Sequence, residues 1–117
     1  KTCGSFAKSI GGQESEALRA LTGAPTEYLE HQSMSPDELW NKIFPADKAD
    51  FTMCCGVGEG NYASLGLVNS HAYTLWGCFE YKGKRLVKIR NPHGETEWNG
   101  SWNDNDPNWT KDMKAKC

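Results

Sequence analysis

His71 and Asn91 are the residues of this chain whose types and placement suit covalent catalysis. His71 stands in Asn69-Ser70-His71-Ala72-Tyr73, and Asn91 in Lys88-Ile89-Arg90-Asn91-Pro92. A histidine can take the proton of a cysteine thiol, and a side-chain amide can hold the imidazole in one tautomer and orientation. Such a pair needs a nucleophile to complete it. None of Cys3, Cys54, Cys55, Cys78 or Cys117 opens a long apolar helix, the setting in which a helix N-terminus lowers a thiol pKa. Cys3-Gly4-Ser5-Phe6 has the right chain order, with cysteine before histidine and asparagine. The stretch from Phe6 to Ile10 is too short before Gly11-Gly12 to supply the helix. Cys3 therefore reads as a terminal or structural thiol, and Cys54 and Cys55 as strand packing residues.

The elements that must position the pair are two strands. Ser70 to Tyr81 is rich in aromatic and β-branched residues, Lys82-Gly83-Lys84 turns the chain, and Arg85 to Asn91 alternates on its return. His71 begins one arm of this hairpin and Asn91 ends the other. Antiparallel pairing brings those ends together. A bulge near Gly77 would shift the register. Phe51 to Cys55 is a further apolar strand bounded by Gly56. Upstream the pattern is helical. Ser15 to Leu21 is a short amphipathic helix ending at Gly23. Ser35-Pro36-Asp37-Glu38 is a capping box that opens a second helix. Leu39, Trp40 and Ile43 form its buried stripe, and Pro45 closes it. The fold class is α+β: short N-terminal helices followed by an antiparallel β-sheet.

With 117 residues the chain is one small domain over 1–117, and its 38% hydrophobic and 24% charged content suits a globular protein. A net charge of −2 gives no electrostatic recruitment of nucleic acid or of an anionic membrane. No apolar run approaches the ~20 residues that cross a bilayer. Five cysteines without regular spacing argue against a disulfide framework and for a reducing, cytoplasmic setting. Gly56, Gly58 and Gly60 lack the helix and Lys-Ser/Thr of a phosphate loop. Glu97, Asp104 and Asp106, with Asn103 and Asn105, make a loop rich in oxygen ligands of the kind calcium takes, without the spacing of an EF-hand. Trp98, Trp102 and Trp109 read as core and loop anchors.

Two long stretches carry a family resemblance. Gly66 to Tyr73 and Leu86 to Asp104, the latter including Arg90-Asn91-Pro92-His93-Gly94-Glu95-Thr96-Glu97-Trp98, resemble the second half of a calpain protease core. Gly11-Gly12, Glu16-Ala17-Leu18 and Leu21-Thr22-Gly23 resemble an earlier part of the same subdomain. The resemblance spans about Gly11 to Trp109. It implies the β-rich half of a papain-like core, with His71 and Asn91 at the catalytic histidine and asparagine positions. It places the nucleophile on an upstream subdomain absent from this chain, and a polypeptide substrate in the cleft between the two. It matches Glu97 and Asp104 to two acidic calcium ligands, the others coming from a loop further on, and makes the Gly56–Gly60 stretch a mobile loop near the cleft. His93 departs from the family, which has a tryptophan there shielding the His–Asn bond from water. A histidine covers the pair less well and adds charge near it below ~pH 6.5. The expected activity is that of a calcium-dependent cysteine endopeptidase acting on intracellular proteins. The alternative is a non-catalytic calpain-like scaffold or interaction domain.

Overall fold

The structure is a computed structural model that describes residues 11–116. It combines helices with one three-stranded antiparallel sheet, an α+β arrangement. The chain separates into two compact units, Lys1–Leu39 and Trp40–Cys117.

In the first unit, helix α1 runs Glu14–Thr22. Glu14 and Glu16 lie at its positive end and Arg19 in its last turn, where each charge complements the helix dipole. Gly23 ends it at φ 70°, donating its N–H to the Arg19 carbonyl at 2.9 Å. That left-handed conformation is open to glycine without a Cβ penalty. The apolar stripe of α1 buries no residue, and Leu21 is 84% exposed. The expected capping box is formed. The Glu38 N–H donates to Ser35 Oγ at 3.2 Å and the Ser35 N–H donates to Glu38 Oε2 at 2.8 Å. These bonds hold the Glu38 carboxyl below its usual range.

Helix α2, Pro36–Lys48, does not close at Pro45. Proline offers no N–H to the Asn41 carbonyl, so one helical bond is lost. Local packing carries the helix past the gap. Trp40 and Phe44 stack at 5.1 Å, Lys48 Nζ sits 5.0 Å over the Phe44 ring, and the Ala49 N–H donates to the Pro45 carbonyl at 3.0 Å. Trp40 is buried, as the stripe required, while Leu39 and Ile43 are half-buried.

The sheet has the order β1-β2-β3, with β1 Met53–Val57, β2 His71–Tyr81 and β3 Lys84–Arg90. Strand β1 lies two residues later than the apolar run suggested. Its register is set by β2: Met53 faces Leu75 and Val57 faces His71. Gly56 therefore lies within the strand opposite Ala72, and Phe51 is left outside, 67% exposed. Lys82 and Gly83, both at positive φ (47° and 74°), make the two-residue turn between β2 and β3 whose twist matches the flanking strands. Among the described residues, the buried hydrophobic side chains of this unit are Trp40, Tyr73, Cys78 and Met113. Met113 is brought in by the short helix α3, Lys111–Lys114, which Thr110 caps through its hydroxyl.

Candidate active site

His71 opens β2 and Asn91 follows the last residue of β3. The register between these strands is regular from Tyr81↔Lys84 to Gly77↔Lys88, then slips by one residue at Trp76 before resuming at Leu75↔Ile89 and Thr74↔Arg90. The pairing ends at Thr74↔Arg90, and the chain then turns, with the Gly94 N–H donating to the Asn91 carbonyl at 3.2 Å. The bulge shifts by one residue the register in which β3 reaches this end of the hairpin, as bulges beside functional sites commonly do.

The two side chains meet. His71 Nε2 lies 2.9 Å from Asn91 Oδ1, in a half-buried setting. Asn91 is fully employed. Its Oδ1 also accepts the His93 backbone N–H at 3.0 Å, and its Nδ2 donates to Thr96 Oγ1 at 3.0 Å and to the Thr96 carbonyl at 3.3 Å. The carbonyl can only accept and the His93 N–H can only donate, so the amide has one sensible orientation. Asn91 presents oxygen to His71. The imidazole must then carry its proton on Nε2, which leaves the Nδ1 lone pair free to receive a proton.

Two rings flank the imidazole. Tyr73 meets it edge-on with centroids 4.8 Å apart, and His93 lies against it at 4.1 Å with a 35° tilt. Tyr73 is buried, and its hydroxyl oxygen accepts the Val68 N–H at 2.8 Å. The approach to His71 is pinned at further points. The Ser70 N–H donates to the Gly58 carbonyl at 3.3 Å, and the Asn69 side-chain amide donates to the Gly60 carbonyl. Ser70 itself sits at φ 48°. The glycine-rich stretch dismissed as a phosphate loop is therefore a carbonyl rack for the residues that lead into His71. Its Gly-x-Gly-x-Gly spacing was visible in the sequence, but nothing in that pattern named Asn69 and Ser70 as its partners.

Trp98 is held in its own turn. Its indole N–H donates to the Ser101 carbonyl at 2.8 Å, its ring covers Gly100, and it is 40% exposed. The cysteines are no closer to a nucleophile's setting. Cys54 and Cys55 lie in β1 opposite Thr74 and Tyr73. Cys78 is fully buried, and burial, helped by the charge of Asp47 against that of Lys48, pushes its thiol up to about 11. That is the wrong direction for a thiolate nucleophile. Cys3 and Cys117 lie outside the described residues.

Glu97 and Asp104 are both exposed, and among the described residues no group of three or more His, Cys, Asp or Glu is gathered to hold a metal. The loop around them satisfies itself. Asp106 accepts the Asn108 N–H at 2.8 Å and the Trp102 N–H, contacts that hold its carboxyl below the usual range. Asn103 Oδ1 accepts the Asn105 N–H, and its carbonyl accepts the Trp109 indole N–H at 2.7 Å, beside a Trp102–Trp109 edge-to-face pair. These oxygens order the loop, and Glu97 with Asp104 does not by itself make the six to eight oxygen ligands that calcium takes. Among the described residues no helix is long and apolar enough to cross a membrane.

A family model for calpain family cysteine proteases matches residues 1–117. The calpain-type cysteine protease DEK1 of Zea mays is 35% identical over 126 residues, covering 99% of this chain. The calpain-2 catalytic subunit of Gallus gallus is 36% identical over 120 residues, covering 94% of it, and the calpain-1 catalytic subunit of Mus musculus is 34% identical over 121 residues, covering 95%. The chain spans 6% of the length of the maize protein and 17% of each of the other two. Matched from end to end in this way, the chain belongs to the calpain family of cysteine proteases.

Proposed function

We propose that this chain is the His/Asn-bearing subdomain of a calpain-like cysteine endopeptidase that hydrolyses peptide bonds of intracellular proteins in the cytoplasm. The observation that carries the reading is the oriented His71–Asn91 contact, 2.9 Å from Nε2 to Oδ1, with the amide fixed from its other side. A cysteine supplied by a second, nucleophile-bearing subdomain gives its thiol proton to His71 Nδ1. The thiolate attacks the scissile carbonyl, and the resulting imidazolium returns the proton to the leaving amine. Water then opens the acyl-enzyme, with His71 again as base. Asn91 holds the ring in place and accepts the Nε2 proton's hydrogen bond throughout, the orienting role of a third triad member.

Calcium enters this reading through Glu97 and Asp104. These two carboxylates contribute to a site completed by oxygen ligands from outside the described residues, and no catalytic step runs through it. The test is thiol-dependent cleavage of a generic peptide by the full-length protein. His71→Ala lowers kcat by at least about 10²-fold, the usual worth of a positioned general base. Cleavage that survives this change overturns the reading. The second reading, a non-catalytic scaffold, is favoured by one observation: the ring over His71 is His93 rather than the family's shielding tryptophan. Full-length protein without thiol-dependent cleavage, and unchanged in partner binding by His71→Ala, would establish it.

A further inference from the structure

Asn91 aligns His71 only while Asn91 is itself held, and that hold comes from one short segment. The His93 N–H and the Thr96 carbonyl are main-chain groups that any residue but proline could supply. The remaining contact is a side chain: Asn91 Nδ2 donates to Thr96 Oγ1 at 3.0 Å, shorter than its 3.3 Å bond to the Thr96 carbonyl. We propose that Thr96 is a positioning residue, whose hydroxyl fixes the Asn91 amide and through it the Nε2–H tautomer and the orientation of His71. The proposal rests on the assignment of His71 and Asn91 as the catalytic pair.

The chemistry is specific to a hydroxyl. An Asn amide has two N–H donors, and at this exposed contact water competes with Thr96 for both. Without Oγ1, one Nδ2 proton keeps the carbonyl and the other has no protein partner. The amide then gains by turning toward solvent about its terminal torsion, which is broad and softly restrained. Any such turn carries Oδ1 away from Nε2. The imidazole can then shift its proton to Nδ1, and the nitrogen meant to receive the thiol proton is blocked. Thr96 is exposed and touches the site through its oxygens, so replacing the hydroxyl by a methyl group of similar shape leaves no cavity.

Two measurements test this. In the 117-residue chain labelled with ¹⁵N-histidine, the His71 ring nitrogens report the tautomer directly. Thr96→Val should move a measurable fraction of His71 to the Nδ1–H form, and Thr96→Ser should restore the original spectrum. In the full-length protein, Thr96→Val should lower kcat about five-fold, the worth of one hydrogen bond, with KM unmoved, and Thr96→Ser should recover it. An unchanged His71 spectrum in Thr96→Val overturns the proposal, as does a Thr96→Ser variant as impaired as the valine. If His71→Ala leaves cleavage intact, the assignment of the pair falls, and the spectrum alone still decides whether Thr96 sets the tautomer.

Discussion

At Gly66 the chain passes close to the Glu97 backbone, and its replacement by alanine should be among the most damaging small changes in the chain. An alanine Cβ there would fall 1.7 Å from the Glu97 carbonyl oxygen and 2.7 Å from its carbon. Real contacts of this kind need about 3 Å or more, so the 97–99 segment would have to retreat by over ~1 Å. That segment is tied back by the Asn99 N–H donating to the Leu65 carbonyl at 2.9 Å, a bond the retreat breaks. Gly66 also sits at φ 76°, where an L-residue pays about 1–2 kcal/mol. The lost bond adds about 1 kcal/mol and the overpacking about 1–3 kcal/mol, against a gain of less than about 1 kcal/mol from the stiffer unfolded chain. The net is about 3–4 kcal/mol. Gly94→Ala is the control. Gly94 has nearly the same φ, 70°, but nothing lies within 4 Å of its virtual Cβ, so only the backbone cost remains, about 1 kcal/mol. Thermal unfolding followed by circular dichroism should show a Tm loss of more than about 10 °C for Gly66→Ala and about 5 °C for Gly94→Ala. Equal losses in the two variants would refute the argument from close approach and leave backbone strain as the whole effect.

The remaining predictions concern the site and its supports. The isolated chain should cleave no peptide, and thiol-dependent cleavage lost on Cys3→Ser would overturn the assignment of the nucleophile to another subdomain. Asn91→Ala in the full-length protein should lower kcat well beyond the five-fold expected of Thr96→Val, since it removes the acceptor itself; equal effects would mean that Asn91 does not orient His71. Cys78 should resist a maleimide at neutral pH until the chain unfolds. Because its folded thiol titrates near 11 rather than about 8.5, its contribution to stability is intact at neutral pH and falls away as pH rises through that window, so alkaline pH should destabilise the native protein more than it does Cys78→Ala. Asp106→Asn should loosen the Trp102–Trp109 turn, read by tryptophan fluorescence. The lowered Asp106 carboxyl stabilises the fold above its ordinary range and stops doing so as pH falls through its folded value, so the difference from the parent should shrink in acid.

Local signals in this chain were strong where one physical rule governs. Ser35 and Glu38 satisfied each other as the capping box requires, and Gly23 took the left-handed conformation that its place after a helix implied. The hairpin through Lys82-Gly83 was legible because a two-residue turn needs two positive φ values and glycine supplies one freely. The failures came where tertiary contacts overrode local preference. Pro45 reads as a stop, but the Trp40–Phe44–Lys48 stack holds the helix through it. The apolar run ending at Cys55 reads as a strand, but pairing with β2 chooses Met53–Val57 and keeps Gly56 inside.

The site shows the same division at finer scale. That His71 and Asn91 would converge followed from their positions at the two open ends of a hairpin. That residue 93 would cover the pair came from the family resemblance rather than from the strand pattern, and His93 does lie against His71 at 4.1 Å. Had the register before the bulge simply continued, Leu75 rather than Thr74 would lie across from Arg90. A one-residue slip also exchanges the faces on which strand side chains stand. The bulge sets the register in which β3 delivers the chain to the turn after Asn91, where His93 lies against His71 and its N–H supports the amide. Deleting Trp76 should separate these effects from simple loss of a side chain. The deletion should abolish the His71–His93 ring contact, seen as loss of cross-peaks between the two imidazoles, whereas Trp76→Thr should keep it, because the extra residue remains. Persistence of that contact in the deletion variant would show that the turn from Asn91 to Thr96, rather than strand register, brings the two rings together.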